Sequence, residues 1–130
     1  ISCKSGLPDN AAVNEILHLS VRAFDADDAA AAAQVEPLEE VIDSLCDEIK
    51  RRHVERERTG VCSFRQGYVY NDILTNLERI ADHCSNLAIA VIERGENTYQ
   101  AHGYLNRLKS EDPAAFHAAC TVYAERYRLA

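Results

Sequence analysis

Apolar residues recur along this chain at intervals of three and four, the period of a helix with one buried face. The first such stretch follows Asp9 or Asn10, either of which can cap it, and carries Val13, Ile16, Leu17, Leu19 or Ser20, Ala23 and Phe24 on its apolar side. The acidic run Asp25–Asp28 breaks it and suits the N-terminus of a second helix, expected from about Asp27 to Arg58. Leu38, Ile42, Leu45 and Ile49 form the seam of that helix. Pro37 inside it removes an amide donor, so the sequence predicts either a kink or two helices meeting there. The stretch "RTGVCS" is a turn, and Ser63 can cap a third helix that runs to about Arg94 with Gly95 as its stop. Its seam reads Ile73, Leu77, Ile80, Cys84, Leu87 and Val91, alternating by four and three like a coiled coil. A shorter helix is expected over Tyr99–Lys109. A last one is capped by Asp112, with Pro113 in its first turn and Phe116, Cys120, Tyr123 and Tyr127 along one face. No alternating strand pattern competes, so the fold class is all-α, a bundle with short connections.

Composition sharpens this picture at three points. A chain of 130 residues suits one domain with a single core, and only three prolines and five glycines interrupt it, which favours long helices. The net charge of −7, with no overriding Lys/Arg cluster, argues against nonspecific nucleic-acid binding and favours cations as partners. No run approaches the ~18 apolar residues of a membrane span. The chain starts at Ile1 and contains no Met, so it is expected to be a segment of a longer protein. Its five cysteines are an odd number without a CxxC, and Cys46 and Cys84 fall at core positions. Reduced, buried thiols are expected rather than a disulfide framework.

The candidate chemistry lies in a repeat. "LEEVID" (Leu38–Asp43) and "LERIAD" (Leu77–Asp82) share the form Leu-Glu-x-apolar-apolar-Asp. Each places two carboxylates at i, i+4, stacked on one face at a similar angle from its own seam. If helices 2 and 3 pack antiparallel, Glu39 and Asp43 face the same flank as Glu78 and Asp82. The rows extend through Glu36 and Asp47 on helix 2, and through Asn71, Thr75 and Asn86 on helix 3. Like charges at this spacing cost a helix ~0.2–0.5 kcal/mol, more beside a dry seam, and a cation would offset that. Oxygen ligands suit magnesium, calcium or manganese and also serve iron or zinc. The alternative is a solvated face paired with Lys50 and Arg79.

The stretch "NLERIADHCSNLA" resembles the signature of the PhoU family of bacterial phosphate-uptake regulators, and "AFDADDAAAAAQVEPLEEVIDSLCDEI" resembles that family's earlier acidic element. The tail, "HGYLNRLK" and the Phe116–Leu129 pattern, is similar to the end of bacterial Na⁺/phosphate cotransporter family proteins, which carry a PhoU-like domain after their membrane helices. The resemblance implies an antiparallel three-helix bundle over residues 10–95. A leader, 1–9, is expected to fray, and a C-terminal extension, 96–130, adds two shorter helices packed on the bundle. It implies a non-enzymatic regulator of phosphate transport at the cytoplasmic face of the plasma membrane, with the membrane-embedded transporter or its machinery as partner and room for a homo-oligomer. It also implies metal ions on Glu39, Asp43, Glu78 and Asp82, with Asp47, Asn86 and His83 as further candidates. The family usually holds two such bundles, whereas this chain holds one plus a helical tail.

Other motifs carry less. "EILH" (Glu15–His18) is a single ExxH, whereas a di-iron carboxylate site needs two, and His18 reads as a helix-surface residue. His53 sits in "RRHVERER", which reads as a solvated charged face or a docking surface. Cys84 lies on the seam and has no histidine one turn away, so it reads as core rather than nucleophile. No Gly-rich phosphate loop is present.

Overall fold

The computed structural model describes residues 10–96 and 109–129. They form helices α1 (Ala11–Ala26), α2 (Ala29–Arg58), α3 (Phe64–Glu96) and α4 (Pro113–Arg126), with no strand among the described residues. The expected leader and most of the expected helix at Tyr99–Lys109 lie outside these residues; 109–111 are helical.

Local chemistry sets the helix ends. Asn10 is the residue before α1, though its side chain makes no capping bond. Asp27 closes α1 in the left-handed region (φ 50°), a conformation that Asp tolerates better than most residues, and its N–H donates to Ala23 O. Asp28 caps α2, its carboxylate accepting from Ala31 N–H at 3.0 Å. α2 then runs through Pro37 as one helix of 30 residues. After it, Gly60 takes φ 76°, where a side chain would be strained. Ser63 and Gln66 form a capping box on α3: Ser63 N–H donates to Gln66 Oε1 at 2.9 Å, and Gln66 N–H to Ser63 Oγ at 3.3 Å. Asp112 caps α4 through Ala115 N–H at 3.1 Å.

α1, α2 and α3 pack together pairwise, and α4 lies on α2. The core joins Ile16 and Ala23 of α1, Val35, Leu38, Ile42, Cys46 and Ile49 of α2, Tyr70, Leu74, Ala81, Cys84, Ala88 and Val91 of α3, and Tyr123 of α4. Buried Ser20 satisfies its hydroxyl by donating to Ile16 O at 2.7 Å. The seam of α3 is rotated from the sequence expectation. Leu74 is fully buried, Leu77 and Ile80 are half-buried, and Ile73 is 40% exposed. One stripe of α3 must face both α1 and α2, and a seam centred on Leu74, Ala81 and Ala88 lets both neighbours approach closely. Leu17 and Phe24 also lie outside the core; Phe24 instead sits under the Arg94 guanidinium, 5.9 Å from its ring centre.

The cysteines split. Cys46 and Cys84 are free and buried, and Cys120 is free and half-buried. Cys62 is disulfide-bonded, against the expectation of five thiols. An odd count with no CxxC carried no signal for it.

Helix lengths shape the molecule. At 1.5 Å per residue, the 16 residues of α1 extend about 24 Å, against about 45 Å for the 30 of α2 and about 50 Å for the 33 of α3. α1 joins α2 at the N-terminal end of α2, so it covers only that half of the hairpin. The other half, around the α2–α3 turn, projects beyond it.

Leu74→Ala should destabilise the fold by ~2–5 kcal/mol, as emptying a buried site does, while Ile73→Ala should stay within about 0.5–1 kcal/mol of wild type. Denaturant titrations of both check the observed register; a larger loss at Ile73 would restore the seam expected from the sequence.

Candidate functional site

The antiparallel pairing of α2 with α3 brings the two acid rows face to face. Glu39, Asp43, Asp47 and Lys50 from α2, with Thr75, Glu78, Arg79 and Asp82 from α3, line one cleft of about 400 Å³. The four principal candidates and Asp47 therefore share a site. His83 and Asn86 are exposed and do not line it.

Five carboxylates face two cations in this cleft. Lys50 Nζ donates to Glu78 Oε1 at 2.7 Å, both side chains about a quarter exposed. The remaining acids are crowded. Burial, followed by the charges of Asp43, Glu36, Glu40 and Asp82, pushes the Glu39 carboxyl up to about 7. Burial and then Glu78, Asp47, Glu40 and Asp82 raise Asp43 as well. This is the signature of a site that favours a counter-cation or a proton.

One turn earlier on α2, oxygens of Glu36, Glu39 and Glu40 lie within 4.8 Å of one another. A cation with bonds of about 2.1–2.5 Å spans at most about 4–5 Å between opposite ligands, so this spacing and this all-oxygen donor set fit magnesium, calcium or manganese. Glu36 is buried and accepts from Ser85 Oγ–H at 2.6 Å. Lys109 Nζ lies 2.5 Å from Glu40 Oε1 and 3.9 Å from Glu36 Oε1, so the C-terminal extension supplies a cation of its own. The run "EPLEE" showed the acids of this turn. Ser85 and Lys109 are 49 and 69 residues away, and no local pattern could have found them.

The minor candidates have other partners. Glu15 accepts from Arg126 at 2.5 Å and from the Tyr127 hydroxyl, which ties α4 to α1, and His18 Nδ1 lies 2.7 Å from Asn14 O. Glu15 of the ExxH is thus an anchor for α4, while His18 bonds within α1. His53 is buried, 5% exposed, where a solvated face was expected. Its ring stacks on Tyr70 with centroids 4.7 Å apart, while Arg56 Nη2 lies 3.3 Å from Nδ1 and Glu57 Oε1 lies 3.3 Å from Nε2. The charged residues flanking His53 in sequence masked a position that points inward to α3. Gly67 permits this approach: a Cβ there would fall 1.7 Å from Glu57 Oε1 and 2.9 Å from His53 Nε2.

An all-α module built on a long antiparallel helix pair with facing acid rows is the class that fold and site define. Residues 11–91 match the PhoU domain, and the chain belongs to the PhoU domain family. It is also 34% identical over 85 residues to the phosphate-specific transport system accessory protein PhoU homolog 1 of Thermotoga maritima. That alignment covers 64% of this chain and 37% of the relative, so the chain spans little more than a third of that protein's length. No solved structure matches the chain.

The raised Glu39 carboxyl sets a pH dependence. Below its ordinary value of 4.5 Glu39 is protonated folded or unfolded, and above about 7 it is ionised in both. Between them the folded chain holds the proton longer, so stability should decline as pH rises across that window. With chelator present, denaturant midpoints should fall over this range, and Glu39→Gln should make the decline shallower. Equal slopes would show that the Glu39 carboxyl is not crowded.

Proposed function

We propose that this chain is a non-enzymatic regulatory domain of phosphate transport whose acidic cleft holds divalent or transition metal ions. The observation that carries the reading is the cleft itself, where two copies of one acidic motif meet across α2 and α3 and push Glu39 up to about 7. Family membership supports the regulatory role, as does the name of the Thermotoga maritima relative, an accessory protein of a phosphate-specific transport system. The similarity of α4 to the end of Na⁺/phosphate cotransporter proteins supports attachment to a transporter at the cytoplasmic membrane face. No described helix is long and apolar enough to cross a membrane.

Glu39, Asp43, Glu78 and Asp82 would hold the metal, with Asp47 beside them. A bound cation would neutralise acids that otherwise repel one another. The chain's own groups set the rest. Lys50 holds Glu78 in place, and burial of the seam beneath the cleft fixes the spacing of the two rows. Because Glu39 and Glu40 continue the row toward Lys109, occupancy would be felt by the C-terminal extension.

The test is thermal melting. Binding to the folded state alone stabilises by ~2.7 kcal/mol at a hundredfold excess over Kd. The Tm should therefore rise with Mn²⁺, Fe²⁺, Zn²⁺, Ca²⁺ or Mg²⁺ and fall with chelator. Asp82→Asn should weaken that response while raising the metal-free Tm, since it deletes a repelling charge. A wild-type melt indifferent to every metal and to chelator makes the row a solvated face. The transport role is checked separately, by phosphate uptake in cells that carry Asp43→Asn and Asp82→Asn together.

A further inference from the structure

The end of the α2–α3 hairpin has a character unlike the rest of the chain. Phe64 is 87% exposed, Tyr68 77%, Val54 62% and Val61 47%. Phe64 and Tyr68 lie one turn apart on α3, and with Val54 of α2 and the bare backbone of Gly67 they frame a hollow of about 210 Å³. Single exposed apolar residues are ordinary, but a contiguous patch with two nearly naked aromatics marks a contact surface.

Charge says what the surface meets. From Lys50 to Asn71 the chain has six basic residues and two acidic ones, Glu55 and Glu57, in a protein whose net charge is −7. Arg51 and Arg58 lie one turn either side of Val54, and Arg65 lies one turn before Tyr68. Lys50 pairs with Glu78, Arg51 and Arg52 with Glu48, and Arg58 with Glu55, which offsets part of this charge and leaves the balance around the turn positive. Because α1 is short, this end projects beyond the third helix and can reach a flat surface. Aromatic side chains flanked by arginines match the boundary of a bilayer, where rings seat among headgroups and guanidinium groups meet lipid phosphates.

We propose that the α2–α3 turn docks on an anionic lipid surface through Phe64, Tyr68 and Val61, with Arg58 and Arg65 on the headgroups. A second copy fits poorly, because a symmetric contact would press two basic ends together. The other described residues carry an acidic excess that such a surface repels, so among them this end approaches first and the hairpin stands upright. The proposal is independent of the metal reading, since none of these residues lines the acidic cleft.

Co-sedimentation of the full chain with lipid vesicles tests it, in chelator so that the cleft plays no part. Wild type should bind phosphatidylcholine vesicles that contain phosphatidylglycerol, bind far less to phosphatidylcholine alone, and release as salt rises. Phe64→Ser with Tyr68→Ser, and Arg58→Glu with Arg65→Glu, should each weaken binding about tenfold or more, with the Tm unchanged because all four side chains are exposed. Wild type remaining in the supernatant overturns the proposal, as does binding equal to wild type by either variant. Sedimentation velocity adds a third arm: a wild-type dimer broken by the aromatic variant would make this face a self-association surface and reject the lipid reading.

Discussion

Leu38, Ile42, Cys46 and Ile49 on α2, and Leu74, Ala81, Cys84 and Ala88 on α3, must leave water together, and that requirement fixes where the carboxylates go. On each helix the acids lie at a set angle from the buried stripe. Burying both stripes against each other therefore turns both acid rows to the same flank. The repulsion that follows is not an independent feature that evolution could remove by sliding one helix. A slip of one residue would turn every side chain on that helix by about 100° and expose Leu74. The cleft and the core are one constraint seen from two sides.

The repeated hexapeptide made the cleft legible in the sequence because the 3.6-residue period converts spacing into angle. Helix ends were equally legible where a side chain caps them, as at Ser63 and Asp112. The register of α3 was less so. Ile73 and Leu74 are both apolar, and which one is buried depends on the closeness of two other helices. Glu36 was read only as one of a row, since its burial depends on Ser85 and Lys109 arriving from far along the chain. His53 was missed because its deciding partner, Tyr70, is not a sequence neighbour, and the disulfide at Cys62 because an odd cysteine count without a CxxC carries no pairing signal.

α4 is held by a different kind of contact. Tyr123 is buried, with its hydroxyl donating to Gln34 Oε1 at 3.3 Å. Around it the links are polar: Arg126 and Tyr127 to Glu15, and Lys109 to Glu40 and Glu36. Cys120, Tyr127 and Leu129 add apolar contact to the core, so α4 is held by a smaller apolar seam than α1–α3 together with these polar links. The acids it uses, Glu36 and Glu40, adjoin the cleft. What happens to charge in the cleft and how firmly the extension sits are thus thermodynamically linked, and the linkage runs in both directions.

The unequal helix lengths have an electrical consequence. From Asp47 on α2 to the turn at Gly60 the chain rises about 20 Å. At physiological salt the field of an exposed charge decays over about 8 Å. The turn that carries Arg58 and Arg65 therefore lies about two screening lengths from the acidic cleft, to which Lys50 belongs. Each can carry strong charge of its own sign without neutralising the other, and a cation entering the cleft leaves the potential at the tip nearly untouched. A shorter α2–α3 pair would lack that insulation, because its acidic flank and its turn would be crowded together.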